Sequence, residues 1–345
     1  MRTVFAFLLM GATVIAPAAI AVCAAQSSPA PQSPEAKAYL DRAITLFREQ
    51  HINSAKMDWP ELTQKAYAAA AGATTTAGTY PAIRLIIKEL GEKHTSFMEP
   101  DQARARATGK ASGKAAPPPL LLPEGMRLAN GIGVIRLYDF AGPPDAGKLY
   151  AQTAQAKIGD MKAHGVCRFV LDLRADPGGN MYPMLEGVQA LLEPGILGIF
   201  QNPQGKYGPW ALKNGVVIEL PFQNTLPTGS PGHKNMPVAV LIGPHTVSSG
   251  EFTAMSFEGR ANTRFFGAPS GGYVTGNDVV PLADGAAIVM TSVYGLDRTG
   301  KKYTDRIEPD ENTGAGGAAL DAAVKWLSAQ RCPTRARHAK STRRH

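Results

Sequence analysis

At 345 residues the chain is long enough to bury one large hydrophobic core or two modest ones. Apolar residues make up 44% of it, which excludes a globally disordered protein. The formal charge of +8 sits largely in the tail from Arg331 to His345, and no basic stretch has the interleaved aromatics of a nucleic-acid module, so no nucleic-acid partner is expected.

Residues 1–25 carry Arg2, an apolar run from Val4 to Ile20 and small residues ending at Ala25. That pattern is a secretory signal peptide and places the mature chain outside the cytoplasm, periplasmic or secreted. Cys23 is a candidate lipid-attachment site, but Val22 before it is a poor fit. In an oxidising compartment Cys167 and Cys332 can pair, or remain one buried and one surface thiol. Residues 26–36 are rich in Ser, Pro and Gln and read as a linker.

Residues 37–99 form an expected helical domain. Tyr39, Leu40, Ala43, Ile44 and Phe47 recur at helical spacing. Asp58-Trp-Pro opens a second helix, and Tyr80–Leu90 is a third, stopped by Gly91. His94 follows in a polar loop, where a lone histidine is ordinarily a surface residue. Residues 100–125, with Pro117-Pro-Pro119, read as a flexible connection, and Leu120-Leu-Leu122 is a candidate cap.

From residue 126 to 330 the chain alternates strand and helix. Strands are expected at Gly131–Leu137, Val166–Leu173, Val238–Ile242 and from Arg264. Helices are expected at Ala146–His164, Met184–Leu192 and Leu320–Leu327. Asp278–Leu282 and Ala286–Val293 pair around Ala283-Asp-Gly285. This alternation argues an α/β fold with a parallel or mixed sheet. Residues 331–345 are a basic tail, read as a solvated end, with peripheral contact to the cell envelope as the alternative.

One strand ends at Ile242, turns through Gly-Pro-His-Thr, and enters a helix at Ser248-Ser-Gly-Glu251. A hydroxyl at such a bend can be a nucleophile facing the free N–H groups of a helix start, or simply a cap. Gly178-Gly179 after another strand can aim backbone N–H groups at a ligand, or only make a tight turn. A second glycine-rich loop, Ser270–Asn277, follows the strand from Arg264, and such loops gather at one edge of a parallel sheet.

Taken in order, these stretches resemble the C-terminal processing (tail-specific) and tricorn-core serine peptidases. Asp172-Leu-Arg-Ala-Asp-Pro-Gly-Gly is similar to that family's Asp-Leu-Arg-x-Asn-x-Gly-Gly. Thr246-Val-Ser248-Ser-Gly-Glu251 resembles its nucleophile motif, Gly267-Ala-Pro-Ser-Gly-Gly its next loop, and Ile307-Glu-Pro-Asp310 its closing motif. Asp58-Trp59 and Leu90-Gly-Glu-Lys-His94-Thr95 are similar to signatures of the tricorn-like branch. The match spans about residues 56–328.

The resemblance implies a crotonase/ClpP-like α/β core with an N-terminal helical domain. It implies Ser248 as nucleophile, and the N–H groups of Ser249 and of Gly178 or Gly179 as the oxyanion hole. Where the processing peptidases carry a lysine base, this chain has Tyr273, a poor base at neutral pH; the histidine-base branch places the base at His94. The third member is open. Tyr303 stands about where that branch has a glutamate, Asp305 is the nearest carboxylate, Glu308 follows, and Asp310 is expected to be structural. Thr95 is a further candidate helper. Between Thr95 and Gly131 there is no room for a peptide-binding PDZ domain, which takes roughly 80–100 residues.

The expected function is therefore an exported serine peptidase acting on polypeptides, with no metal or cofactor. The alternatives are a non-catalytic ligand- or peptide-binding protein on the same fold, and an envelope scaffold recruited through the basic tail.

Overall fold

The computed structural model describes residues 30–108, 119–227, 229 and 236–332. The expected signal peptide, Cys23 and nearly all of the basic tail lie outside them. No helix among the described residues is long and apolar enough to cross a membrane.

The N-terminal part begins with three helices. Ser33 caps α1 (Pro34–Gln50) by accepting the Ala36 N–H, and Asp58 caps α2 (Trp59–Ala69) through the Glu61 N–H. In α3 (Tyr80–Glu89), Pro81 sits in the first turn, and Gly91 at a φ of +67° ends the run. A short strand β1 (Ser96–Met98) and helix α4 (Pro100–Thr108) follow. The flexible connection expected from residue 100 thus starts as a helix, one that buries none of its residues.

The remaining elements are β2 (Glu124–Arg127), β3 (Gly133–Arg136), α5 (Pro144–Ala163), β4 (Phe169–Asp172), α6 (Met181–Gly187), β5 (Gly195–Gln201), β6 (Tyr207–Lys213), β7 (Val216–Glu219), β8 (Val238–Ile242), α7 (Ser249–Met255), β9 (Thr263–Gly267), β10 (Thr275–Pro281), β11 (Ala287–Asp297), β12 (Glu311–Asn312) and α8 (Ala318–Ser328). They form two sheets. One runs β12-β9-β8-β4-β3-β2, parallel except for the β2 edge. The other is antiparallel, β1-β11-β5-β6-β7, with β10 also paired to β11.

The central strands β4 and β8 of the parallel sheet are fully buried and almost wholly apolar because both faces are covered. Ile135, Leu171 and Val240 face one core, with Tyr150 and Ile158 of α5, Met184 of α6, Phe252 of α7 and Trp210 of β6. Their neighbours Val134, Val170, Ala239 and Leu241 face the other, under Ala319, Ala323 and Leu327 of α8. The helical unit does not close its own core. Leu282, Ala286, Ile288 and Met290 of the β10–β11 hairpin complete it around Leu40, Phe47, Ile83 and Ile86. The Leu120–Leu122 run forms no cap: Leu122 packs on the main core, while Leu120 and Leu121 are exposed.

Cys167, ahead of β4, and Cys332, after α8, are joined with Cα atoms 5.6 Å apart. The bond ties the last helix to the sheet across a sequence separation of 165 residues. Removing it in a Cys167→Ser, Cys332→Ser double variant should cost about 2–5 kcal/mol. Thermal denaturation should show a Tm lower by several degrees, and reductant should lower the wild-type Tm but not that of the variant.

Candidate active site

The carboxyl ends of β3, β4, β8 and β9 lie at one edge of the parallel sheet, so the loops that follow them meet there. After β8 the chain turns tightly: the Gly243 N–H donates to Thr246 Oγ1 at 3.0 Å, and that hydroxyl donates to the Leu173 carbonyl at 2.9 Å. Two residues later Ser248 takes a φ of 53° and a ψ of −116°. An ordinary capping serine is extended; a non-glycine residue at positive φ is uncommon and holds only where its surroundings enforce it.

The enforcing group is Glu251, fully buried in the first turn of α7. Its carboxylate accepts the Ser248 N–H at 2.9 Å, the Tyr273 N–H at 2.7 Å, the Gly272 N–H at 2.8 Å and the Ser270 hydroxyl at 2.5 Å. One side chain thus fixes the bend and clamps it to the glycine loop after β9. Burial raises its pKa, against the pull of those four donors.

The Gly178–Gly179 turn after β4 lies against the same bend. Both glycines have φ near +107°. A Cβ at Gly179 would come within 2.1 Å of the Phe140 carbonyl oxygen, and one at Gly178 within 2.9 Å of Ser248 Cβ, so neither position admits another residue. The expected choice between the two N–H groups resolves on contacts. The Gly178 N–H is already donated to Asp176 Oδ1 at 3.0 Å. The Gly179 and Ser249 N–H groups have no protein acceptor among the described residues. The Ser249 hydroxyl is a brace, donating to the Gly179 carbonyl at 2.7 Å.

His94 reaches the site from the loop between α3 and β1. Glu92 folds that loop by accepting the His94 N–H at 2.6 Å and the Thr95 N–H at 2.7 Å. Beneath it His51, Glu92, Thr95 and Thr291 close a buried hydrogen-bonded ring. Burial alone would raise the Glu92 pKa, but these donors hold it down at about 2. The His94 carbonyl accepts Asn277 Nδ2 at 3.0 Å, and its Nδ1 lies 3.0 Å from Thr275 Oγ1. With the proton on Nδ1, that nitrogen donates to the Thr275 hydroxyl and Nε2 keeps the lone pair a general base needs. Burial lowers the His94 pKa below 6.5, with the Glu92 charge opposing.

Ser248, His94, Gly179, Ser249 and Tyr273 line one cavity of about 690 Å³, walled further by Phe200, Val279 and Val293. No hydrogen bond joins Ser248 to His94 in this structure. Catalytic hydrogen bonds are often loose until substrate is bound. Tyr273, in the place of a lysine base, sets its ring edge-on to His94 with centroids 5.1 Å apart.

The sought third members are elsewhere. Asp305 is largely exposed, pairs with Arg306 at 3.3 Å and makes no hydrogen bond to His94. The Thr95 hydroxyl bonds His51 and Thr291 in the buried ring, not the His94 imidazole. Tyr303 donates to Asp297 Oδ2 from within the main core, and Asp310 accepts the Phe265 N–H at 2.8 Å, which anchors β9. The group that does meet the imidazole is Thr275, a hydroxyl at the start of β10 rather than a carboxylate near the closing motif. Among the described residues no three His, Cys, Asp or Glu side chains cluster as a metal site would need.

Comparison with known proteins gives a consistent picture. The model of peptidase family S41 matches residues 131–313. A nisin-resistance protein of Lactococcus lactis subsp. lactis is 30% identical over 298 residues, spanning 86% of this chain and 88% of its own. A lipoprotein from Streptococcus agalactiae superposes with a TM-score of 0.68 at 22% identity, over 86% of this chain and 96% of its own. The photosystem II D1 C-terminal processing protease gives 0.61 at 16% identity, over 87% and 99%. At those identities the two structures speak for the fold.

Proposed function

The chain belongs to peptidase family S41, and from that premise we propose that it hydrolyses peptide bonds as a serine peptidase, with Ser248 as nucleophile and His94 as general base. The observation that carries this reading is the single cavity lined by a serine at positive φ, an imidazole and two residues whose backbone N–H groups are unspent.

The reaction follows from those atoms. Ser248 Oγ attacks the scissile carbonyl carbon, and its proton passes to His94 Nε2. The carbonyl oxygen becomes an oxyanion, held by the N–H groups of Gly179 and Ser249. When the carbon–nitrogen bond breaks, the imidazolium returns the proton to the leaving amine and an ester remains on Ser248. Water, deprotonated by His94, then hydrolyses the ester. Thr275 stands where a carboxylate usually orients the histidine; it fixes the ring without adding charge. The outer edge of β10 flanks the cavity and suits an extended polypeptide bound by strand addition. The disulfide agrees with work outside the cytoplasm, and the name of the Lactococcus relative makes nisin a substrate to assay first.

Incubation with a fluorophosphonate probe, then digestion and mass spectrometry, tests the assignment. The adduct is expected on Ser248 and on no other serine; heat-unfolded protein should take up none. A native protein that never labels, and cleaves no peptide, supports the ligand-binding alternative, which the missing Ser248–His94 hydrogen bond also suits.

A further inference from the structure

One of the buried titratable groups that the mechanism does not use lies directly beneath the site. Asp176 stands where the motif this stretch resembles carries asparagine. Its side chain is 0% exposed. Oδ1 accepts the Gly178 N–H at 3.0 Å, and the residue's carbonyl accepts the Val247 N–H at 3.0 Å, so Asp176 joins the glycine turn to the serine bend. Oδ2 is buried with no partner. A Cβ built at Gly250 would lie 3.1 Å from Asp176 Cγ, which puts the carboxyl directly behind the Ser248–Gly250 backbone.

Among the described residues no cation answers it. Asp139, on the connection from β3 to α5, and Tyr150 of α5 are the titratable groups that face it. Arg174 spends its guanidinium on Asp172 and the Gly316 carbonyl, and Glu251 of α7 is turned to Ser270 and the loop N–H groups. Burial pushes the Asp176 pKa up to about 7; the Gly178 N–H opposes this and the Asp139 charge adds to it.

We propose that Asp176 sets the alkaline limit of catalysis. Protonated, it holds the Gly178–Gly179 turn as an asparagine would. Ionised, it lays an uncompensated negative charge beside the site where the oxyanion forms and opposes it. Asp176 touches no reacting atom and is a positioning residue. The inference rests on the Ser248 acyl-enzyme reading.

The test is the rate of fluorophosphonate labelling of Ser248 between about pH 5.5 and 9, for the wild-type protein and Asp176→Asn. Labelling forms the Oγ–phosphorus bond, expels fluoride and sends the Oγ proton to His94, with the phosphoryl oxygen in the same hole. Wild-type labelling should slow roughly tenfold or more above pH 7, and D176N should stay level there, the acid limb being common to both. A second readout is independent of activity. With its folded pKa above the ordinary 3.8, Asp176 favours the folded state when protonated, and that contribution fades as pH rises toward 7. The Tm of D176N should therefore gain on wild type from about pH 4 to 7 and hold that gain, without further change, above about pH 8. A wild type that labels equally fast at high pH overturns the proposal without need of the variant, as does a D176N profile with the same alkaline decline. A wild type that never labels Ser248 removes the peptidase reading itself, a separate result.

Discussion

Ser248→Ala is expected to lower peptide hydrolysis by on the order of 10⁴-fold or more, and to abolish fluorophosphonate labelling. The fold should be untouched. Alanine keeps the Cβ, so it meets the same φ of 53° that serine tolerates, and the Ser248 N–H bond to Glu251 is a backbone bond that survives the change. The Tm should stay within about 2 °C of wild type, as for a small substitution at a cavity wall. The pairing of a lost reaction with an unchanged melt distinguishes a nucleophile from a structural cap. A cap would show the reverse: cleavage largely retained and a stability loss of about 1 kcal/mol. Residual cleavage above about 1% of wild type, in protein free of contaminating peptidase, would remove Ser248 from the mechanism.

What the sequence made legible, and what it did not, follows physical lines. The parallel sheet was readable because strands covered on both faces are apolar runs, as at Phe169–Asp172 and Val238–Ile242. Ser248 and His94 were readable through motifs kept in order, although some 150 residues separate them, an interval the numbering itself shows. The β5–β6–β7 sheet was not anticipated. Glycine and proline interrupt its strands, and both look like breakers from sequence. In the fold, Gly198 leaves room for the indole of Trp210: a Cβ there would lie 2.0 Å from Cζ2. Pro209 sits in β6 opposite Ile199.

The partner of His94 was hidden for a related reason. The hairpin was expected to start at Asp278, but β10 begins at Thr275, across a register shift at Gly276 and Asn277. That irregular extension carries Thr275 and Asn277 to the histidine loop. A bulge among glycines has no periodicity to read. The split between Gly178 and Gly179 was equally illegible, since it depends on a hydrogen bond from one of them to Asp176.

His94→Ala should cost about 10³-fold or more in the acylation rate, because the imidazole that takes the Ser248 Oγ proton is gone. The cost is in chemistry, so kcat should fall far more than KM rises. The folded state should tolerate the change: the loop is held through the His94 N–H and carbonyl, both of which an alanine retains. The acid limb of the pH profile is the sharper test. His94 works as the neutral ring, so activity is present above its pKa and lost as pH falls through it. Burial places that pKa below 6.5, so the wild-type protein should remain active at pH values where an exposed histidine would already be protonated. In His94→Ala the remaining slow reaction should lose this limb altogether. A wild-type acid limb at or above pH 6.5, or one that persists unchanged in the alanine variant, would assign the base to another group. Tyr273 packs edge-on against the imidazole and walls it on that side.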